Sequence, residues 1–165
     1  MNKDILKAAQ QRLPVALLGS LSMLPASESF EEKNYNEFKY EDGSFRIMAV
    51  SRPSPATSHQ RKGMVSIWWN NRLIWIMQYA EEYFDEDRPL IRRILRMSHR
   101  EVLRTGEFMG ARGYPERVMQ SRGLVYTNSV HEHSDFAEFS GHESLRFAGE
   151  SIERGRCDYW GVSLI

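Results

Sequence analysis

The chain has 165 residues, 41% of them hydrophobic and 27% charged. This composition excludes disordered and fibrous classes, and at this length roughly 70% of the unfolded surface can be buried without a metal or disulfide staple. Its 22 basic and 22 acidic residues cancel, and Cys157 is the single cysteine, so there is no global field for nucleic acid or a membrane, no intramolecular disulfide, and a reducing, cytoplasmic setting is expected.

From the N-terminus, Ile5, Leu6, Ala9 and Leu13 follow a helical period and predict a helix packed against the body. The apolar run from Leu13 to Leu21, preceded by Lys3, Lys7 and Arg12, has the outline of a signal peptide. Pro14 interrupts it, and it is too short to span a bilayer. Residues 22–36 follow neither secondary-structure period and read as a linker. Residues 1–33 are therefore helix plus linker, and 34–165 a single α+β domain.

Phe38 and Tyr40 alternate with Lys39 and Glu41, Asp42-Gly43 makes a turn, and Phe45, Ile47 and Ala49 return. Residues 51–62, with Pro53 and Pro55, predict a surface loop. Its functional alternative is a basic lid in which His59, Arg61 and Lys62 lean over a pocket framed by the aromatic strands that follow. Those strands are expected at 64–69 and 72–79, joined by Asn70-Asn71, and they are apolar on both faces, which calls for cover by the chain's own helices. A helix over 88–104 supplies it, capped by Asp87, with Pro89 in the first turn and Gly106 as the stop. Leu90, Ile91, Ile94, Leu95, Ser98, Val102 and Leu103 form its apolar stripe. The opposite face carries Arg88, Arg92, Arg93, Arg96, His99, Arg100 and Arg104.

After a glycine-bracketed turn at 110–113 and a less regular stretch at 116–122, strands are expected near 124–128, 136–139, 143–147 and 151–159. The apolar residues 161–165 predict a terminal strand tied into the sheet. The segment from Gly63 to Ile74 is matched, at an offset of 78, by Gly141 to Ile152, each reading as glycine, strand, two-residue turn and return strand. The expected fold is α+β: a curved antiparallel β-sheet built from two similar hairpin-containing halves, about 36–80 and 124–165, with the N-terminal helix and the central arginine-rich helix packed on it.

Arg92, Arg93, Arg96 and Arg100 offer planar forks for carboxylate or phosphate, although the five acids among residues 81–87 stand ready to neutralise them. Trp68, Trp69 and Trp75, rimmed by Arg72, Arg112 and Arg154, would suit a flat or anionic small molecule if they lined a concave sheet face. Core packing competes with that reading, and Trp68 and Trp69 cannot both face one core because strand faces alternate. His131, His133 and Asp135, near His142 and Glu143, are candidate ligands for zinc, manganese or iron. They lack the His-Glu-x-x-His spacing and read more simply as loop residues. Cys157 reads as a small buried hydrophobe rather than a nucleophile. No catalytic residue and no cofactor is assigned on these grounds.

Tyr40 with Asp42-Gly43, Gly63 followed by the Trp69–Tyr79 strand pair, Gly110-Ala111-Arg112-Gly113, and Tyr126 with Phe139-Ser140-Gly141-His142-Glu143 occur in a characteristic order and spacing. In this the chain resembles a small bacterial family of unknown function, whose members stand alone or follow helix-turn-helix domains in transcriptional regulators. The likeness covers roughly residues 34–165 and implies a sensing or interaction module with no agreed catalytic residues. Trp68-Trp69 departs from the family pattern, and the residues ahead of the shared region are too few for a helix-turn-helix domain and its linker.

The expected function is a non-enzymatic binding or interaction protein, sensor-like or inhibitory and immunity-like, recognising an acidic protein partner or an anionic small molecule. A homodimer is compatible with it, and no membrane role is expected. One alternative is a small hydrolase-like or metal-dependent enzyme using the His131, His133 and His142 region. The other is a nucleic-acid-associated regulator using the basic helix.

Overall fold

A computed structural model describes residues 2–23, 36–54, 59–108, 112, 119–121 and 123–165. The expected α+β class is what it shows. Helix α1 (Asn2–Met23) precedes four strands, β1 (Asn36–Asp42), β2 (Phe45–Pro53), β3 (Gln60–Trp69) and β4 (Arg72–Glu82). Helix α2 (Arg88–Thr105) leads to four more, β5 (Met119–Ser121), β6 (Leu124–Val130), β7 (Glu138–Phe147) and β8 (Gly155–Ser163). All eight form one antiparallel sheet in the order β1-β2-β3-β4-β8-β7-β6-β5. The chain meanders inward to β4, crosses through α2 to the far edge, and meanders inward again to β8, which pairs with β4.

Period-2 alternation decides which residues meet the helices. The register aligns Ile47, Ile67 and Trp75 in one row, and Ala49, Val65, Met77, Gly161 and Phe139 in the next. The side chains of these rows join Ala9, Leu13 and Leu17 of α1 and Ile91, Ile94 and Leu95 of α2 in one core, with Gly161 leaving room for the Phe139 ring. Pro14 lies inside α1 without ending it. Gly19 admits Phe38 to the helix surface, since a Cβ there would lie 2.7 Å from the ring. Among the described residues no helix is long and apolar enough to cross a membrane.

Several local expectations are corrected. The predicted 51–62 loop is shorter, because β2 runs to Pro53 and β3 starts at Gln60, with Arg52 opposite Lys62 and Pro53 opposite Arg61. Pro53 is the last residue of its strand, where a missing N–H is tolerated. The strands expected at 136–139 and 143–147 are one strand, β7. Gly141 within it is no break: a Cβ at that position would come 2.2 Å from the Tyr159 hydroxyl, so glycine is what lets Tyr159 cross the strand.

The repeated hairpin is not repeated in structure. Asn70 and Asn71, at φ 48° and 63°, make a two-residue turn between β3 and β4. In the second segment Ser151 and Ile152 lie outside any strand, Ile152 is 77% exposed, and β8 begins only at Gly155. The fold does not establish a duplication. The terminal strand does form, with Ser163 opposite Trp75 and Leu164 N–H donating to the Ile74 carbonyl at 2.8 Å.

In α2, Ile91, Ile94, Leu95 and Ser98 are buried as expected, but Leu103 is 44% exposed, while Arg88 and His99, assigned to the polar face, are buried. Asp87 makes no side-chain cap; its carboxylate accepts from Arg154 Nε at 2.7 Å. Gly106 closes the helix at φ 72° as expected. The expected linker at 22–36 and the glycine turn at 110–113 lie mostly outside the described residues, although α1 runs on to Met23; of the stretch at 116–122, Met119–Ser121 form strand β5.

Candidate functional site

The helix-facing register continues past the apolar rows into two polar ones. Ser51, Gly63, Tyr79, Tyr159 and Gly141 make the first, and Glu81, Cys157, Glu143 and Asn128 the second. In the first row Tyr79 lies across Gly63 as Tyr159 lies across Gly141, and an added Cβ at 63 would sit 2.1 Å from the Tyr79 ring. Both glycines of the matched segments thus have the same local cause: each is the floor for a cross-strand tyrosine.

The second row carries carboxylates into a buried layer. Glu143 is fully buried and satisfied by donors from three directions. Its Oε1 accepts from the Tyr126 hydroxyl at 2.7 Å, and its Oε2 from the Tyr83 hydroxyl at 3.2 Å and from Arg112 Nε and Nη2 at 3.2 and 2.9 Å. Arg112 also donates from Nη2 to Glu81 Oε2 at 3.3 Å and stacks over the Tyr79 ring at 4.7 Å. Its backbone carbonyl accepts from the Ser98 hydroxyl of α2 at 2.8 Å. Arg88 caps the other side of Glu81: Nη1 donates to Glu81 Oε1 at 2.9 Å, Nε to Asp85 at 3.2 Å, and Nη2 to the His59 carbonyl at 2.9 Å.

The protonation states follow from this layer. Burial works against the Arg112 charge, but the carboxylates of Glu143 and Glu81 outweigh it and hold the guanidinium charged. Burial and then Glu143 push the Tyr83 and Tyr126 phenols well up, so both stay protonated donors. Burial raises the Cys157 thiol as well, against the lowering effect of Arg112, which leaves it a poor nucleophile. His99, on the buried face of α2, is pushed down to about 3 by burial and by Arg112 and is neutral.

Between this layer and α2 lies a cavity of about 90 Å³. Among the described residues, Arg61 of β3, Arg88 and Arg92 of α2, and Arg112 line it, with Tyr79, Tyr83, Ser51 and the carboxylate of Glu81. Apolar cover comes from Leu21, Ile91 and Leu95. A concave site with apolar walls and a few convergent polar groups has the general form of a small-ligand pocket.

The predicted site residues divide around it. Arg92 and Arg112 line the cavity. Trp75 is core: its indole N–H donates to the Phe136 carbonyl at 2.7 Å, and its ring stacks on Phe136 and Phe139. Trp68 and Trp69 point to opposite faces, Trp68 beneath Arg46 on the helix-free face and Trp69 against the core. Arg72, Arg93 and Arg100 are exposed. Arg96 donates to the Leu21 carbonyl at 2.6 Å, and Arg154 is held by Asp87 and Glu86 between Phe84 and Phe147.

His131, His133 and Asp135 are exposed, and among the described residues no group of three or more His, Cys, Asp or Glu side chains is placed to hold a metal ion. The Asp135 carboxylate accepts instead from the N–H groups of Ala137 and Glu138. His142 sits on the other sheet face, bonded to Asp158 and Glu153 at 2.7 and 2.9 Å. Of the basic lid, Arg61 lines the cavity, while His59 packs against Phe84.

The sequence reading missed Glu81, Arg88, Tyr83, Tyr126 and Asn128. One signal could have found Glu81: it shares the parity of Trp75, Met77 and Tyr79, so β4 must carry it to the buried face. No family model, curated protein or solved structure matches the chain.

Proposed function

We propose that the protein is a non-enzymatic binding protein that holds the anionic group of a small molecule in the cavity beneath α2. The observation that carries this reading is the convergence of four guanidinium groups, Arg61, Arg88, Arg92 and Arg112, from separate parts of the chain on one cavity, where Glu81 is the one carboxylate among the described lining residues. Arginine matches the planar geometry of carboxylate and phosphate oxygens, and a partly desolvated site strengthens the attraction. A sensor-like role, of the kind implied by the likeness to the regulator-associated family, needs a site of this type and no catalytic group.

An acidic protein partner is the second reading. It rests on Arg93 and Arg100, exposed on the outer side of α2. Arg88 and Arg96 turn inward to protein acceptors, so the basic stripe available to a partner or to nucleic acid is narrower than the sequence suggests.

Thermal unfolding with added propionate or inorganic phosphate tests the cavity. A ligand at a hundred times its dissociation constant stabilises the folded state by about 2.7 kcal/mol. The expected result is a concentration-dependent rise in melting temperature that Arg92→Ala and Arg61→Ala each diminish. A melting temperature unmoved by either anion in the wild-type protein would reject the reading.

A further inference from the structure

We propose that His142, Glu153 and Arg154 form a proton-operated clasp on the turn between β7 and β8, closed while the imidazole carries both its protons and opened when it loses one. The clasp is independent of anion binding in the cavity.

Residues 148–154 join β7 to β8 and lie outside both strands. The last two of them reach to opposite faces of the sheet. Glu153 turns to the helix-free face, where its Oε1 lies 2.9 Å from His142 Nε2. Arg154 turns to the helix side: Nε donates to Asp87 Oδ2 at 2.7 Å and Nη2 donates to Glu86, with the guanidinium between the Phe84 and Phe147 rings. Asp87 immediately precedes α2 and makes no side-chain cap to it. The start of the helix is thus held from the β7–β8 turn instead of by its own N-cap side chain.

His142 is bonded on both sides. Asp158, opposite it in the β7–β8 ladder, places Oδ1 2.7 Å from Nδ1, while Glu153 meets Nε2. An ionised carboxylate only accepts, and a neutral imidazole has one N–H to give, so the imidazolium alone makes both bonds. Burial opposes that charge, but Glu153 and Asp158 outweigh burial and raise the pKa above the usual 6.5. Among the described residues, the other charged or titratable side chains near this face are Arg156 of β8, paired with Glu82 of β4, Arg146 of β7, which donates to the Glu150 carbonyl, Glu138 at the start of β7, and His131 just beyond β6. From β6 itself Thr127 and Ser129 face β7, and neither titrates.

Loss of the proton leaves one ring nitrogen with a lone pair aimed at a carboxylate oxygen. Asp158 is fixed by the ladder and Glu153 stands outside it, so Glu153 is the partner that gives way. The turn then keeps the Arg154 N–H on the Leu145 carbonyl and the Ala148 N–H on the Gly123 carbonyl, each at 2.7 Å, but loses its anchor on the helix-free face. Arg154 holds Asp87 and Glu86 from a looser support. The sign follows from the raised pKa: the clasp is closed at low pH and opens as pH rises through the folded value.

Amide exchange with water, measured by NMR on the full chain and divided by the intrinsic rate at each pH, tests this. The Arg154 amide is expected to be about threefold better protected at about pH 5.5 than at about pH 8.5, and the Asp87 amide, which donates to the Phe84 carbonyl, to change with it. His142→Asn should remove the pH dependence at both. Glu153→Gln, whose side-chain amide can accept from the charged ring or donate to the neutral one, should keep the Arg154 amide protected at both pH values. Equal protection at the two pH values in the wild type, or a pH dependence that survives in His142→Asn, would overturn the clasp. A response at Arg154 with none at Asp87 would overturn its hold on α2. Should His142→Asn not fold, the wild type and Glu153→Gln decide.

Discussion

At the scale of single residues, Glu143 is the group on which most of the buried layer depends. It is fully buried, and it satisfies Arg112 and two tyrosines at once. Replacing a whole buried ion pair by apolar groups can be neutral, but removing one partner strands the other charge and costs about 3–5 kcal/mol. Glu143→Leu is therefore expected to lower unfolding free energy by about that amount, because Arg112 keeps only Glu81 and the Tyr83 and Tyr126 hydroxyls lose their acceptor. Glu143→Gln, which retains an acceptor for the tyrosines, should lose less. Urea denaturation measures both. A loss below about 1 kcal/mol for Glu143→Leu, the level of an exposed pair, would mean that the layer is not what holds Arg112 in place.

At the scale of elements, α2 joins two kinds of surface, and His99 shows the consequence. The helical period that buries Ile91, Ile94, Leu95 and Ser98 buries His99 too, with Arg112 and Glu143 as the charged groups that act on it. Burial and Arg112 push its imidazole from the usual 6.5 down to about 3. Below pH 6.5 the unfolded chain takes up a proton that the folded protein refuses, so stability should fall as pH drops through this window, by up to about 1.4 kcal/mol per pH unit. His142 acts with the opposite sign: burial opposes its charge, but Glu153 and Asp158 outweigh burial and raise it, so its contribution is held below the ordinary histidine range and lost as pH rises through its folded pKa. His99→Asn should flatten the stability profile between pH 6.5 and about 5, where few carboxylates titrate, and His142→Asn should not. An unchanged slope in His99→Asn would show that this imidazole is not the group responsible.

The same helix shows what the sequence made legible. The hairpins at 36–53 and 60–82, both helices and the terminal strand follow from periodicity and turn residues, which act locally. The site did not follow, because its polar residues occupy apolar parity. Glu81 was grouped with the acids around it, His99 with the arginines, and Glu143 with the histidines, when register and helical phase assign each to the interior. Gly141 misled for a related reason: a glycine inside a strand reads as a break unless the tyrosine that crosses it is known, and Tyr159 is 18 residues away. The pairing of β4 with β8, which brings Glu81 and Glu143 to either side of Cys157, is non-local, and no spacing within either strand encodes it.

At the scale of the whole molecule, that pairing decides whether strands β1–β4 and β5–β8 unfold separately. Among the described residues, strand pairing between the two sets is confined to the β4–β8 ladder, from Trp75 with Ser163 to Glu82 with Arg156. A ladder alone would make a weak seam, but here it is crossed by side chains that cannot be separated cheaply. Tyr83 donates to Glu143, Arg112 joins Glu81 to Glu143, Trp75 donates to the Phe136 carbonyl, and Arg154 grips Asp87. Opening the seam would expose Trp75 and leave buried charges unpaired, so a half-unfolded state is disfavoured. Urea unfolding is expected as one transition, with a slope within the range of about 1–3 kcal/mol per molar found for small cooperative proteins. In Trp160→Phe, the remaining Trp68, Trp69 and Trp75 report the first strand set by fluorescence, while far-UV circular dichroism reports all eight strands. Coincident midpoints are expected. Two separated midpoints would show that the strand sets are independent units, and that the charged layer decorates the seam without binding it.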